Sequence, residues 1–344
     1  MLNRIKRKII LKLIFEKINN KKKLKLLKCN KRLLDKLDIS INDYKDSFAL
    51  KELNNKFNLN LDDTNVEFLD IGNQVLGSEI FKYLNKFKFS KLKDLNISGN
   101  ELSDINELAK AKFTELESLA LGDNYISDIN ILEHVSFKKL KILNLEENGI
   151  SDIKILEKVN FKNLESLVLY SNKISNIYPL ENAKFVNLKY LDLSFNKISD
   201  ISVLERVNFE NLEELYLSSN IISDISVFEK VKFGKLRELN LEENHISDIS
   251  VLEKVKFDKL EILFLNYNQI ININSFEKAN FQELKYLNLN DNKISDISVL
   301  DKIEFKKLNT LYLEKNDINI DESSLILENI KKRIACFNYY LFFF

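Results

Sequence analysis

The chain has 344 residues and a mass of 40.4 kDa, and its 52 Lys/Arg balance 52 Asp/Glu, so it carries no net charge. Apolar residues make up 45% of it, with only 6 Gly and 1 Pro, which excludes wholesale disorder, a collagen-like or linker-rich chain and a globally basic nucleic-acid binder. Two Cys, Cys29 and Cys336, and two His, His134 and His245, supply neither a disulfide framework nor a Cys-based zinc site. The charge is nonetheless segregated. Residues 1–50 hold 15 Lys/Arg against 5 Asp/Glu, a net of +10, and the remainder therefore carries −10.

Residues 1–65 form the basic first segment. Ile9–Phe15 is apolar but is interrupted by Lys12 and has no small-residue cleavage site after it, so no secretory signal is expected. No run of 18 apolar residues occurs, so no spanning helix is expected either. A cytoplasmic or nuclear protein is the expectation. Ile10, Leu13, Ile14, Phe15 and Ile18 fit one helix, and Leu24, Leu26, Leu27, Leu33, Leu34 and Leu37 fit one or two more. The order I-L-x-x-I-F-x-x-I, a polar break, then L-x-L-L-x-x-N-K-R-L resembles an F-box. That resemblance implies a Skp-type adaptor of a cullin ubiquitin ligase bound through residues 4–37. The family's Leu-Pro opening is replaced by Ile5-Lys6, and Leu33-Leu34 stands where an aromatic usually follows the basic pair. A plain helical cap, or a basic segment for a membrane surface or nucleic acid, are the alternatives.

From residue 66 to residue 320 the chain repeats itself. An Asn recurs every 24 residues without a slip, at Asn100, Asn124, Asn148, Asn172, Asn196, Asn220, Asn244, Asn268, Asn292 and Asn316. Phe89 to Phe305, Leu92 to Leu308 and Leu95 to Leu311 run in the same step. The unit is F-x-x-L-x-x-L-x-L-x-x-N-x-I-S-D-I-x-x-L-E-x-V-x. The alternation L-x-L predicts a short strand with Leu inward, and stacked units pair such strands into a parallel sheet. Asn carries both a donor and an acceptor, so a column of Asn can satisfy backbone groups where each coil turns. S-D-I-x-x-L-E begins with a capping residue type and predicts one or two turns of helix on the opposite side. The Phe column fills the corner before the next strand. Val66–Gly72 reads as a degenerate first strand with Gln74 at the Asn position. After Asn316, Ile318–Ile320 opens a last coil, Leu325–Ile334 a closing helix, and Phe337–Phe344 a cover for the end.

The L-x-x-L-x-L-x-x-N-x-I core, in ten consecutive units, resembles the leucine-rich repeat family, and I-S-D-I resembles its internalin-like and phosphatase-regulator variants. The resemblance implies an α/β solenoid, a horseshoe with a parallel concave sheet, short helices or turns on the convex side, an N-terminal cap over 1–65 and a C-terminal cap with an apolar tail over 321–344.

Residues flanking the inward Leu pair point to the concave face. Tyr170, Tyr190, Phe195, Tyr216, Phe264, Tyr267, Tyr286 and Tyr312 gather there in the middle and C-terminal repeats, and Glu146, Glu147, Glu214, Glu238, Glu242 and Glu243 make the face acidic. Large amphipathic rings suit interface anchors, so a protein partner with basic and apolar features is expected, and nucleic acid is not. Ring propensity for exposed strands is the plainer explanation of the Tyr. The column Lys93, Glu117, Lys141, Glu165, Lys189, Glu213, Arg237, Glu261 and Lys285 alternates in sign and reads as support for the scaffold.

Catalytic motifs are missing: there is no Gly-rich phosphate loop, no H-E-x-x-H and no C-x-x-C. His134 and His245 stand at different repeat positions. Asp104, Asp128, Asp152, Asp200, Asp224, Asp248 and Asp296 form a carboxylate column, but Asn176 and Asn272 interrupt it, so helix capping explains it better than calcium. No cofactor and no metal are expected. The expected function is that of a non-catalytic scaffold for protein–protein interaction. The alternatives are an F-box-type substrate receptor and a phosphatase-regulator-like binding subunit.

Overall fold

The computed structural model of the protein describes residues 41–62, 64–303 and 305–338, together with 17, 18 and 22. The F-box-like order, Cys29 and the tail from Tyr339 lie outside the described residues.

Twelve three-residue strands form one sheet in strict chain order. They are β1 (Phe68–Asp70), β2 (Asp94–Asn96), β3 (Ser118–Ala120), β4 (Ile142–Asn144), β5 (Ser166–Val168), β6 (Tyr190–Asp192), β7 (Glu214–Tyr216), β8 (Glu238–Asn240), β9 (Ile262–Phe264), β10 (Tyr286–Asn288), β11 (Thr310–Tyr312) and β12 (Cys336–Asn338). All pairs are parallel, and each central Leu faces the next, as in Leu191↔Leu215↔Leu239. The middle residue of each strand from β2 to β10 is fully buried and its neighbours are not, which is what period-two alternation requires.

Across the coil from the sheet, the expected helical turns are 3-10 turns of four or five residues, from Asn106–Lys110 to Asn274–Glu277. The carboxylate column acts just ahead of them. Asp200 Oδ1 accepts the Ser202 amide at 2.8 Å, Asp248 that of Ser250 at 2.8 Å, and Asn272 that of Asn274 at 2.7 Å. Asn does the same work as Asp here, so the interruptions at Asn176 and Asn272 cost nothing. The bond closes a turn two residues on rather than capping from the N-cap position, which Ile occupies.

Each Asn of the main column ties two coils together. Asn196 Nδ2 reaches Leu193 O and Ser194 O in its own coil and Leu169 O in the preceding one, all at 3.0 Å, and its Oδ1 accepts Ile174 N at 2.9 Å. Gln74, at the same register in the first coil, is exposed and does not enter this ladder; the Gln74 and Leu76 amides donate to Asn100 Oδ1 instead. Beneath the ladder the Phe column from Phe89 to Phe281 is at most 2% exposed.

The ends differ from the middle. β1 to β2 and β11 to β12 are each 26 residues apart rather than 24. Helix α1 (Ile41–Phe57) buries Leu50, Leu53 and Phe57 against the first coil, and α2 (Ile80–Leu84) replaces its 3-10 turn. In the penultimate coil α3 (Val299–Lys302) does the same, and α4 (Ile320–Arg333) closes the solenoid, with Asn319 Oδ1 accepting the Asp321 amide. Phe337, expected in a cover over the end, instead enters the sheet opposite Leu311.

The residue before each Asn is left-handed, with φ between 47° and 54° from Asp123 to Lys315 and 68° at Gly99. Only glycine adopts this conformation freely. Ser171 (φ 52°) has no side-chain hydrogen-bond partner among the described residues that glycine would forfeit. Ser171→Gly is therefore expected to raise the unfolding free energy by about 0.5–1 kcal/mol, read as a higher urea midpoint.

Candidate partner-binding site

The sheet brings the sequence-predicted rings to one face but sorts them into groups. Tyr170 and Phe195 pack 5.0 Å apart, and Tyr190 and Tyr216 5.2 Å apart. Phe264, Tyr286 and Tyr312 form a second stack with centroids at 5.0 and 5.6 Å. Tyr267 stands apart, with Lys315 Nζ 5.8 Å from its ring. Between the stacks lies β8, whose outward residues are Glu238 and Asn240. Most of these rings are half-buried. Phe195 and Tyr267 are 48% and 49% exposed, and both occupy the left-handed position, at φ 54°. A bulky side chain there is a costly choice.

Three residues expected on the concave face are instead buried: Ser194, Ser218 and Asn266, at 3%, 7% and 3% exposure. They are small members of a column whose other places hold Tyr170, Glu146 and Glu242. Asn266 Oδ1 is buried without a hydrogen-bond partner among the described residues.

The acidic groups concentrate on β6 to β8. Glu214 and Glu238 are direct neighbours on adjacent strands. Tyr216 Oη donates to Glu214 Oε2 at 3.1 Å, and Glu238 lies near enough to compete for the same proton. Asp192 Oδ1 accepts the Ser194 amide at 2.9 Å. Burial pushes the carboxyls of Glu238 and Asp192 up from their ordinary values, with the Glu214 charge adding to the effect at Glu238 and the Tyr216 hydroxyl opposing it. Burial likewise raises the hydroxyls of Tyr190 and Tyr216.

The flanking column shows that this crowding is not a general habit of the fold. There Lys141 pairs with Glu117 and Lys189 with Glu165, each at 2.7 Å, Arg237 lies 3.9 Å from Glu213 and 3.8 Å from Glu261, and Lys285 pairs with Glu261. These exposed pairs contribute little individually, but they keep like charges apart.

A carboxyl raised by folding opposes folding once it is ionised. The penalty of Glu238 is present above its folded pKa and vanishes below its unfolded one. Glu238→Gln is thus expected to stabilise the protein at pH 7 by about 0.2–1 kcal/mol, with the gain in urea midpoint shrinking as the pH falls towards 4.

No catalytic grouping accompanies this face. His134 and His245 are exposed and lie in separate coils, and among the described residues no group of three His, Cys, Asp or Glu could hold a metal ion. No helix of the described residues is long and apolar enough to cross a membrane.

Family models of the leucine-rich repeat match residues 138–198 and 282–300, and a two-copy leucine-rich repeat model matches 186–230. No curated protein sequence matches the chain. Among solved structures, an internalin (InlF) from Listeria monocytogenes str. 4b F2365 is 28% identical, over 85% of this chain and 83% of that one, with a TM-score of 0.60. The LRR ectodomain of the plant membrane receptor kinase GASSHO1/SCHENGEN3 from Arabidopsis thaliana is 22% identical over 75% of this chain and 31% of that one, with a TM-score of 0.56; at that identity the likeness is one of fold alone.

Proposed function

We propose that the chain, whose repeats match leucine-rich repeat models over residues 138–230 and 282–300 and whose structure is similar to that of a bacterial internalin, is a non-catalytic scaffold that binds a protein partner on its concave face, in the cytoplasm or nucleus. The observation that carries the reading is the pair Phe195 and Tyr267. Both are half-exposed aromatics at a left-handed position that other coils fill with Asp, Glu, Ser, Lys or Gly. Backbone preference disfavours a ring there, and about half of each ring stays exposed although Tyr170 packs on Phe195 and Lys315 lies over Tyr267; an interface accounts for both features. The ring stacks on either side of β8 extend the same surface.

Tyr216→Ser together with Tyr286→Ser is expected to abolish recovery of the partner from a cell extract while circular dichroism stays the same. Undiminished recovery would move the site off this face. Two narrower forms of the reading are a substrate receptor for a cullin ligase, which requires a Skp-type adaptor to be recovered through residues 4–37, and a phosphatase-regulating subunit, which requires the concave face alone.

A further inference from the structure

The concave face carries an aromatic residue on either side of an acidic strand, one in each ring stack. Tyr216 on β7 and Phe264 on β9 lie two strands apart, about 10 Å, each the last residue of its strand and each in register with Asn240. The strand between them, β8, contributes Asn240 as the floor of the gap. Glu238 precedes Asn240 on the same outward side and Glu242 follows it, and Asn240 Oδ1 accepts the Glu242 amide at 2.9 Å. The gap therefore has an aromatic wall at each end and a carboxylate on each flank.

Two independent features show what this gap lacks. Glu214 stands beside Glu238 with no basic residue between them, although the flanking column of the same coils separates like charges throughout. Next to Glu242 in its own column, the buried Asn266 Oδ1 has no donor among the described residues. Carboxylates call for positive charge, an orphaned carbonyl calls for N–H, and the two rings call for a flat cation or an apolar surface. A guanidinium meets all of these demands, being planar, permanently charged and equipped with five donors; an ammonium is a poorer match.

Building on the concave-face reading above, we infer that the gap over Asn240 seats an arginine side chain of the partner, within a segment whose neighbouring apolar residues rest on the ring stacks to either side. A chain crossing the strands in extended form covers about 10 Å in three residues, so the apolar residues belong within about three positions of the arginine.

The test is selection of a random dodecapeptide library on the full chain. Enriched peptides are expected to carry Arg within three positions of apolar residues. Replacing that Arg by Gln is expected to weaken binding at least tenfold, replacing it by Lys to weaken it less, and Glu238→Gln with Glu242→Gln to remove the preference for Arg while circular dichroism stays the same. No enrichment, enrichment of peptides without a basic residue, or binders indifferent to the two glutamines each overturns the inference. Binders that ignore the glutamines but are lost on the Tyr216→Ser, Tyr286→Ser chain overturn the arginine seat and leave concave-face binding standing.

Discussion

Asn220→Ala is expected to lower the unfolding free energy by about 3 kcal/mol. Asn220 is 6% exposed. Its Nδ2 lies 3.0 Å from Leu193 O and 3.1 Å from both Leu217 O and Ser218 O, and its Oδ1 accepts Ile198 N at 2.9 Å. Alanine leaves a buried amide and several carbonyls without this partner at once, and each orphaned group costs about 1–3 kcal/mol unless the coil relaxes to admit water. The lost bonds span two coils. In a solenoid, stability is close to a sum of coil and interface contributions, so the break falls between the N-terminal and C-terminal halves. Urea unfolding followed by circular dichroism is expected to show a lower midpoint and a broadened or two-step transition. Asn220→Asp is expected to be worse, since it keeps the acceptor for Ile198 but turns a negative charge towards three carbonyls. An unchanged midpoint in the alanine variant would remove the ladder from the account of stability.

Phe257→Ala is expected to cost about 3–5 kcal/mol. Phe257 is 1% exposed and meets Phe228 edge-to-face at 5.8 Å and 70°. Phe228 occupies a place that Leu204 and Leu252 hold in the neighbouring coils, so this ring pair couples the back of one coil to the corner of the next. An edge-to-face pair of this kind adds about 0.5–1.5 kcal/mol beyond the area it buries. Phe195→Ala is the contrasting case, because its ring is exposed and its backbone left-handed; a small change or a gain in midpoint is expected. Thermal and urea midpoints of the two variants side by side distinguish core from interface.

The regular middle of the fold was legible because one physical demand, stacking of identical coils, acts on every copy alike. Leu, Phe and Asn columns are the record of that demand, and the strands and ladder stand where the columns put them. The ends were less legible because they satisfy the demand once. α1 and α4 follow no column, and β12 rests on Phe337 alone taking the place of an inward Leu. The left-handed position was missed because its side chains are chemically unlike one another. It does carry a signal: from Gly99 to Lys315 it never holds Val, Ile or Thr, the residues that tolerate this conformation least. For the candidate site, composition placed rings and carboxylates on one face. Only the folded chain divides the rings into two stacks and buries Ser194, Ser218 and Asn266, leaving the Asn266 carbonyl without a partner among the described residues.

The Asn column has a consequence for how such a molecule changes over generations. Each Asn side chain bonds its own coil and the one before it, and from β2 to β11 every coil has the same length. Excising one whole period joins an Asn to carbonyls and an amide equivalent to those it lost, and adding a period does the same. A change of 24 residues is then gentler than a change of one. Recombination between coils can alter the gap between the two ring stacks in whole strand widths of about 4.8 Å, so that partner choice evolves in discrete steps on a backbone that stays in register.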